Sequence, residues 1–194
     1  MRERIASLTS NILNPFLVSL VVILLLSFKS TSSTVDAVKW SLISIAVSIL
    51  PVLGAIIFLV RQQRLESHYI NIREQRTQVY LLASVCLGVG CVIFPALSAP
   101  LMLRAIFIAG LSAVVIFMGI NLLWKISLHT AFVTALVTVL IILYGSIAAV
   151  SAVLVPLISW ARIELRQHSP AQVVTGALLA TLIVVVVFHL FGLV

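Results

Sequence analysis

Residues 79–120, "VYLLASVCLGVGCVIFPALSAPLMLRAIFIAGLSAVVIFMGI", carry a single charged side chain, Arg104. A bilayer core takes about 20 consecutive apolar residues as one helix, and this run holds two such lengths. Pro95 to Pro100 supplies a turn between them. In hydrocarbon each backbone N–H and C=O must be satisfied within the protein, so the run predicts a helical hairpin.

The same reading along the chain gives seven apolar segments, at about 13–28, 40–60, 79–97, 101–120, 129–146, 148–161 and 172–193. The whole is 62% hydrophobic with mean hydropathy +1.29, where soluble domains are roughly half apolar. The expected fold class is all-α, a polytopic membrane helical bundle of six to seven transmembrane helices. It forms one integral membrane domain over 1–194, with two N-terminal transmembrane helices in 1–62 and a core in 64–190. The sixth segment is short, which leaves a six-crossing form with one re-entrant or surface helix open. The opening "MRERIASLTSNILNPFLVSLVVILLLSFKSTSS" has the basic start and apolar centre of a signal peptide; it is read here as the first spanning helix. Pairs of small residues, Gly88 with Gly90 and Gly110 with Gly119, predict close helix packing. Cys86 and Cys91, five apart on one helix, look away from each other and are read as packing residues.

Net charge is +7. On a chain this apolar, basic residues belong to loops and headgroups, so no nucleic-acid partner is expected. Threading seven crossings puts Arg2, Arg4, Arg61, Arg64, Arg73, Arg76, Lys125, Arg162 and Arg166 on one face, and Lys29, Lys39 and Arg104 on the other. By the positive-inside tendency the richer face is cytoplasmic. If Arg73, Arg76, Lys125 and Arg162 serve chemistry instead of topology, the lean shrinks to five against three.

Charge is scarce, only 9% of residues, yet Arg162, Glu164, Arg166 and His168 crowd "WARIELRQHSPAQVVTG" (160–176). Two further polar clusters stand at helix ends on the same face, "HYINIREQRTQ" (68–78) and "WKISLHT" (124–130). Together they offer arginines, a lysine, histidines and a serine, but no carboxylate cluster to hold a metal. Guanidinium suits phosphate because its planar fork matches two oxygens and keeps its charge. One imidazole can attack phosphorus while a second protonates the departing oxygen. Arginine and histidine at helix ends also snorkel to headgroups, so the residues alone leave both readings open.

Arg162, five residues, His168, then Pro170 and the small-residue helix "VVTGALLA" resembles the third motif of the type 2 phosphatidic acid phosphatase superfamily, which also contains the vanadium haloperoxidases. "KISLHT" resembles its second motif, Pro-Ser-Gly-His, and "NIREQR" a loose form of the first. The motifs run in the family's order and cover about residues 64 to 190. The resemblance implies that His168 is the nucleophile that becomes phosphorylated and that His129 protonates the leaving oxygen. It makes Ser127 and Arg162 phosphate ligands and aligns Arg76 with the first-motif arginine. Arg73, one turn earlier, can share its work. Lys125, two residues before Ser127, adds a further cation outside the family pattern.

Four positions depart from that pattern. Gln172 stands where the family has an aspartate that orients the nucleophilic histidine; its carbonyl can still accept from an imidazole N–H, with less gain in basicity. Leu128 replaces the glycine between serine and histidine, Ala161 the serine before the arginine, and Tyr69 the expected lysine seven before Arg76.

The implied function is a metal-independent membrane phosphatase. It would act on a lipid phosphate or prenyl diphosphate drawn from the bilayer, through phosphohistidine and without a cofactor. Its expected place is the cell membrane of a bacterium or archaeon, as a monomer or homo-oligomer. The rival is a catalytically weak or inactive lipid-phosphate binder of the same fold. A small transporter ranks third, since midplane charges on broken helices are not seen. A haloperoxidase would gain little from seven spanning helices.

Overall fold

The protein's structure, a computed structural model, describes residues 1–62 and 73–194, with the side chains of Arg73 and Glu74 outside the description. The described residues are mainly helical, with no strand among them. The elements are α1 (Arg2–Ile12), α2 (Pro15–Ser30), α3 (Thr34–Arg61), α4 (Arg73–Ala96), α5 (Leu101–Asn121), α6 (Leu128–Tyr144), a 3-10 stretch (Gly145–Val153), α7 (Leu154–Glu164) and α8 (Pro170–Leu190). Five helical stretches among the described residues are long and apolar enough to cross a membrane, or six if α1 and α2 form one bent span. Such lengths make a multi-pass membrane protein. Only 17–39% of each span's most apolar window is buried inside the protein, so the remaining apolar side chains point outward. Hydrocarbon surroundings allow this, because lipid tails are as apolar as leucine.

Each expected apolar segment lies on helical structure, but two junctions differ from the sequence reading. The first is at the N-terminus, where a separate helix, α1, precedes the apolar run and meets α2 at 41°. Pro15 has no N–H to continue the ladder. Asn14 serves both sides of the break: its Nδ2 donates to the Asn11 carbonyl at 2.6 Å, and its Oδ1 accepts from Leu17 N–H at 3.0 Å. The second lies between the fifth and sixth segments. Gly145 takes φ 65 at the end of α6, and α7 packs back on α6. At about 1.5 Å per residue α7 alone is only about 16 Å long, so the 3-10 stretch supplies the rest of the return path.

Contacts divide the chain into two compact units, Met1–Val22 with Lys125–Val194, and Ile23–Trp124. Within the second, α4 packs on α3 and α5. Phe94 stands 5.9 Å from Trp40 and 4.3 Å from Phe107 by ring centroid. Gly90 lies against the Phe107 ring, where a Cβ would take the ring's place. Gly110 meets Leu87 at 3.5 Å, whereas Gly88 and Gly119 meet no described side chain within 4 Å. Of these four glycines, Gly90 and Gly110 are the ones that permit close approach. Cys86 and Cys91 are free thiols. Within the first unit α7 packs on α1, α6 and α8, and α6 packs on α8.

Candidate functional site

The spacing from Arg162 to His168 is the product of one chain reversal. At the end of α7, Arg166 N–H donates to Ile163 O at 2.8 Å and Gln167 N–H to Arg162 O at 3.1 Å. This pair of hydrogen bonds is a Schellman ending, which needs its turning residue in the left-handed region. Arg166 sits there with φ 52, at a cost of about 1–2 kcal/mol for a residue with a Cβ. His168 N–H also donates to Arg162 O, at 3.3 Å, so the backbone of His168 is folded onto the arginine's carbonyl. Helix α8 then starts at once. Ser169 is its N-cap, Pro170 occupies the first turn where no N–H is needed, and Gln172 completes a capping box.

Gln172 has a second task. Its Oε1 lies 3.1 Å from Ser169 N and 3.1 Å from His168 Nδ1. A backbone N–H only donates, so the atom it reaches must be the amide oxygen. That oxygen only accepts, so His168 Nδ1 must carry the proton. In the neutral ring the lone pair then resides on Nε2. The glutamine thus selects the tautomer that a carboxylate in its place would select, without supplying a charge.

The start of α6 meets this turn. Ser127 caps α6, accepting from Thr130 N–H at 3.4 Å, and its Oγ lies 3.0 Å from Thr130 Oγ1. Both residues are fully buried. Ser127 N–H donates to Gln172 O at 3.4 Å, tying the cap of α6 to the first turn of α8. His129, on the first turn of α6, is buried, and the charges of Arg162 and His168 are near enough to act on its ring. Gly176 makes the approach of the helices possible: a Cβ there would stand 2.9 Å from Ser127 O and 3.2 Å from Ile126 Cγ2. Backbone oxygen cannot swing aside as a side chain can. Gly176→Ala should therefore lower stability by about 1–3 kcal/mol, read by thermal unfolding in detergent. An unchanged midpoint would mean that the contact is not a close one.

Arg162 is 5% exposed, in the last turn of α7. Its Nη1 donates to Ser10 Oγ at 2.7 Å, and Ser10 is 1% exposed. Sequence reasoning missed Ser10. The available signal was the pair Ala6 and Ser10, four apart on α1, a small-residue pattern of the kind that marks helix contacts. Both are buried on the helix that packs on α7.

The first unit thus brings together Arg162, His129, His168, Ser127 and Gln172, from three helix ends that lie far apart in sequence. Lys125, half-buried, lies two residues before Ser127 in the same unit. Arg76 belongs to the second unit. It is buried there, donating from Nη2 to Tyr80 Oη at 3.1 Å with its guanidinium 5.9 Å from the Tyr80 ring centre. Beside it Asn121 Nδ2 donates to Thr77 Oγ1 at 3.3 Å, joining the start of α4 to the end of α5. Arg73 opens α4 by its backbone, while its side chain, with His68 and Tyr69, lies outside the described residues. Among the hydroxyls of α6, Thr138 donates to the Thr134 carbonyl at 2.8 Å, a bond local to the helix. No group of three or more His, Cys, Asp or Glu side chains gathers among the described residues. Comparisons with family models, with curated proteins and with solved structures found no match.

Proposed function

We propose that the chain is a metal-independent lipid phosphatase, and that the phosphate of a lipid monophosphate or prenyl diphosphate is held at the polar end of the first unit. One observation carries the reading. A buried arginine shares that end with two histidines, one of them held in the tautomer a nucleophile needs. Ionisable groups are costly in a membrane protein, and those retained there usually serve a substrate or a partner.

The Arg162 fork binds two phosphoryl oxygens and offsets their charge as the geometry becomes trigonal bipyramidal. His168 Nε2 donates its lone pair to phosphorus, and the P–O bond to the leaving group breaks. His129, once the negative charge of the bound phosphate offsets Arg162, takes up a proton from solvent and gives it to the departing alcohol or phosphate oxygen. Water next attacks phosphohistidine while His129 takes back a proton, releasing orthophosphate and restoring both rings. Ser127 contributes through its cap, which sets the first turn of α6 and with it His129. Lys125, in the same unit, is the further cation assigned to the anion. The lipid tail enters from the bilayer, in the cell membrane of a bacterium or archaeon, with the site on the more basic, cytoplasmic face.

A binder of lipid phosphate that turns over poorly is the second reading. It is favoured by the neutral partner on His168 Nδ1, where a carboxylate would stabilise an imidazolium. One experiment separates the two. Detergent-purified protein is offered phosphatidate and a prenyl diphosphate in chelator, and free phosphate is measured. The phosphatase reading expects release that resists chelation and is inhibited by orthovanadate. It also expects Gln172→Asp to raise the rate by about tenfold or more, since a charged partner is worth orders of magnitude in a comparable triad. Binding of either lipid without phosphate release from either protein would establish the binder.

A further inference from the structure

We infer that Ser10 is a positioning residue for Arg162, so that the N-terminal helix α1 is part of the phosphate site. The inference rests on the phosphatase reading above. On apolar helices a serine or threonine usually donates to the carbonyl four residues back, which satisfies it locally. Ser19, Ser41, Ser48, Ser84 and Thr138 all do so here. Ser10 differs: among the described residues its hydroxyl accepts from Arg162, 152 positions along the chain.

A guanidinium aims its donors only as well as its plane is held. The side chain is long and has much rotamer freedom, and a phosphate fork needs two donors in one orientation. Ser10 fixes one of them, Nη1, at 2.7 Å in a place that solvent scarcely reaches. The hydroxyl is itself held because Ala6 and Ser10 form the buried face of α1, which packs on α7, the helix that carries Arg162. The opposite faces of α1 are outward. Ile5, Leu8 and Ile12 form an exposed apolar ridge, and Arg4 and Ser7 an exposed polar one. Its one inward polar group is thus spent on the arginine. A serine in that place adds no charge and takes no proton in the reaction. What it supplies is direction.

The test compares wild type, Ser10→Ala, Ser10→Thr, Arg162→Lys and the double variant Ser10→Ala/Arg162→Lys, by phosphatidate turnover, orthovanadate inhibition and thermal unfolding. Ser10→Ala should raise the vanadate inhibition constant and lower kcat, each by about tenfold, the usual worth of a hydrogen bond to a charged group. KM should move by less than about threefold, because the loss falls on the five-coordinate state. Ser10→Thr, which keeps the oxygen, should stay within about threefold of wild type. In the Arg162→Lys background, where the fork is gone, adding Ser10→Ala should change kcat by less than about twofold. If Ser10→Ala does not fold, Ser10→Cys carries the same expectation, since a thiol is a weak acceptor. Wild type inhibited by vanadate, with Ser10→Ala or Ser10→Cys inhibited equally well, overturns this inference and leaves the phosphatase standing. So does a Ser10→Ala loss that is undiminished beside Arg162→Lys. A wild type that neither releases phosphate nor responds to vanadate overturns both.

Discussion

His168→Ala should reduce phosphate release from phosphatidate by at least about 10³-fold, because the variant lacks the atom proposed to bond to phosphorus. The fold should survive. Ser169 still caps α8, and Gln172 still accepts from the Ser169 N–H, so the capping box stands without the imidazole. Thermal unfolding should therefore shift little, and the loss in rate can be assigned to chemistry. Retention of turnover in a well-folded His168→Ala protein would remove the histidine from the mechanism. Substitution at Gln172 is a different case, since its amide oxygen serves both the cap and the ring.

Arg162→Ala should lower kcat/KM by about 10²–10³-fold, the range seen when a preorganised donor to developing oxyanion charge is removed. Arg162→Lys should recover only part of this, because an ammonium cannot present two coplanar donors. Arg162→Ala also takes away the group that donates to Ser10, whose buried oxygen then costs about 1–3 kcal/mol. The structural reading thus expects a small stability loss alongside the large kinetic one. Steady-state kinetics and thermal unfolding of the same preparations measure both. Full activity in Arg162→Ala would place the phosphate elsewhere.

Much of the architecture was legible from the apolar runs, because a span must be long, helical and nearly free of charge. Residues 79–97 and 101–120 became α4 and α5 with ends shifted by a few positions, since Pro95 to Pro100 punctuates them strongly. α1 was not legible in the same way. It is too polar to register as a span, and Pro15 hides the fact that helix continues on both sides of the break. The return of α7 was legible only as a short segment, since a 3-10 stretch of nine residues has no distinct sequence signature.

The candidate site divides along the same lines. Arg162, Ser127, His129, His168 and Gln172 were singled out through the resemblance, and a Schellman reversal followed by an immediate N-cap accounts for the six positions from Arg162 to His168. The left-handed turn itself was hidden, because Arg166 stands where glycine would have announced it. Ser10 was hidden for a different reason. Its partner is 152 residues away, and the small-residue pair Ala6 and Ser10 marks a helix contact without naming the residue it meets. Arg76 was read from a loose motif, and it donates to Tyr80 on its own helix, in the second unit.

The central claim is that one phosphoryl group becomes bonded to His168 in each turnover. Protein mixed with lipid substrate labelled in its phosphate, quenched in alkali within milliseconds and digested, tests this most directly. The account predicts an acid-labile, alkali-stable label on the peptide that contains His168, absent from His168→Ala and chased off by unlabelled substrate. Turnover with no label on the protein, or with the label on another peptide, would contradict it.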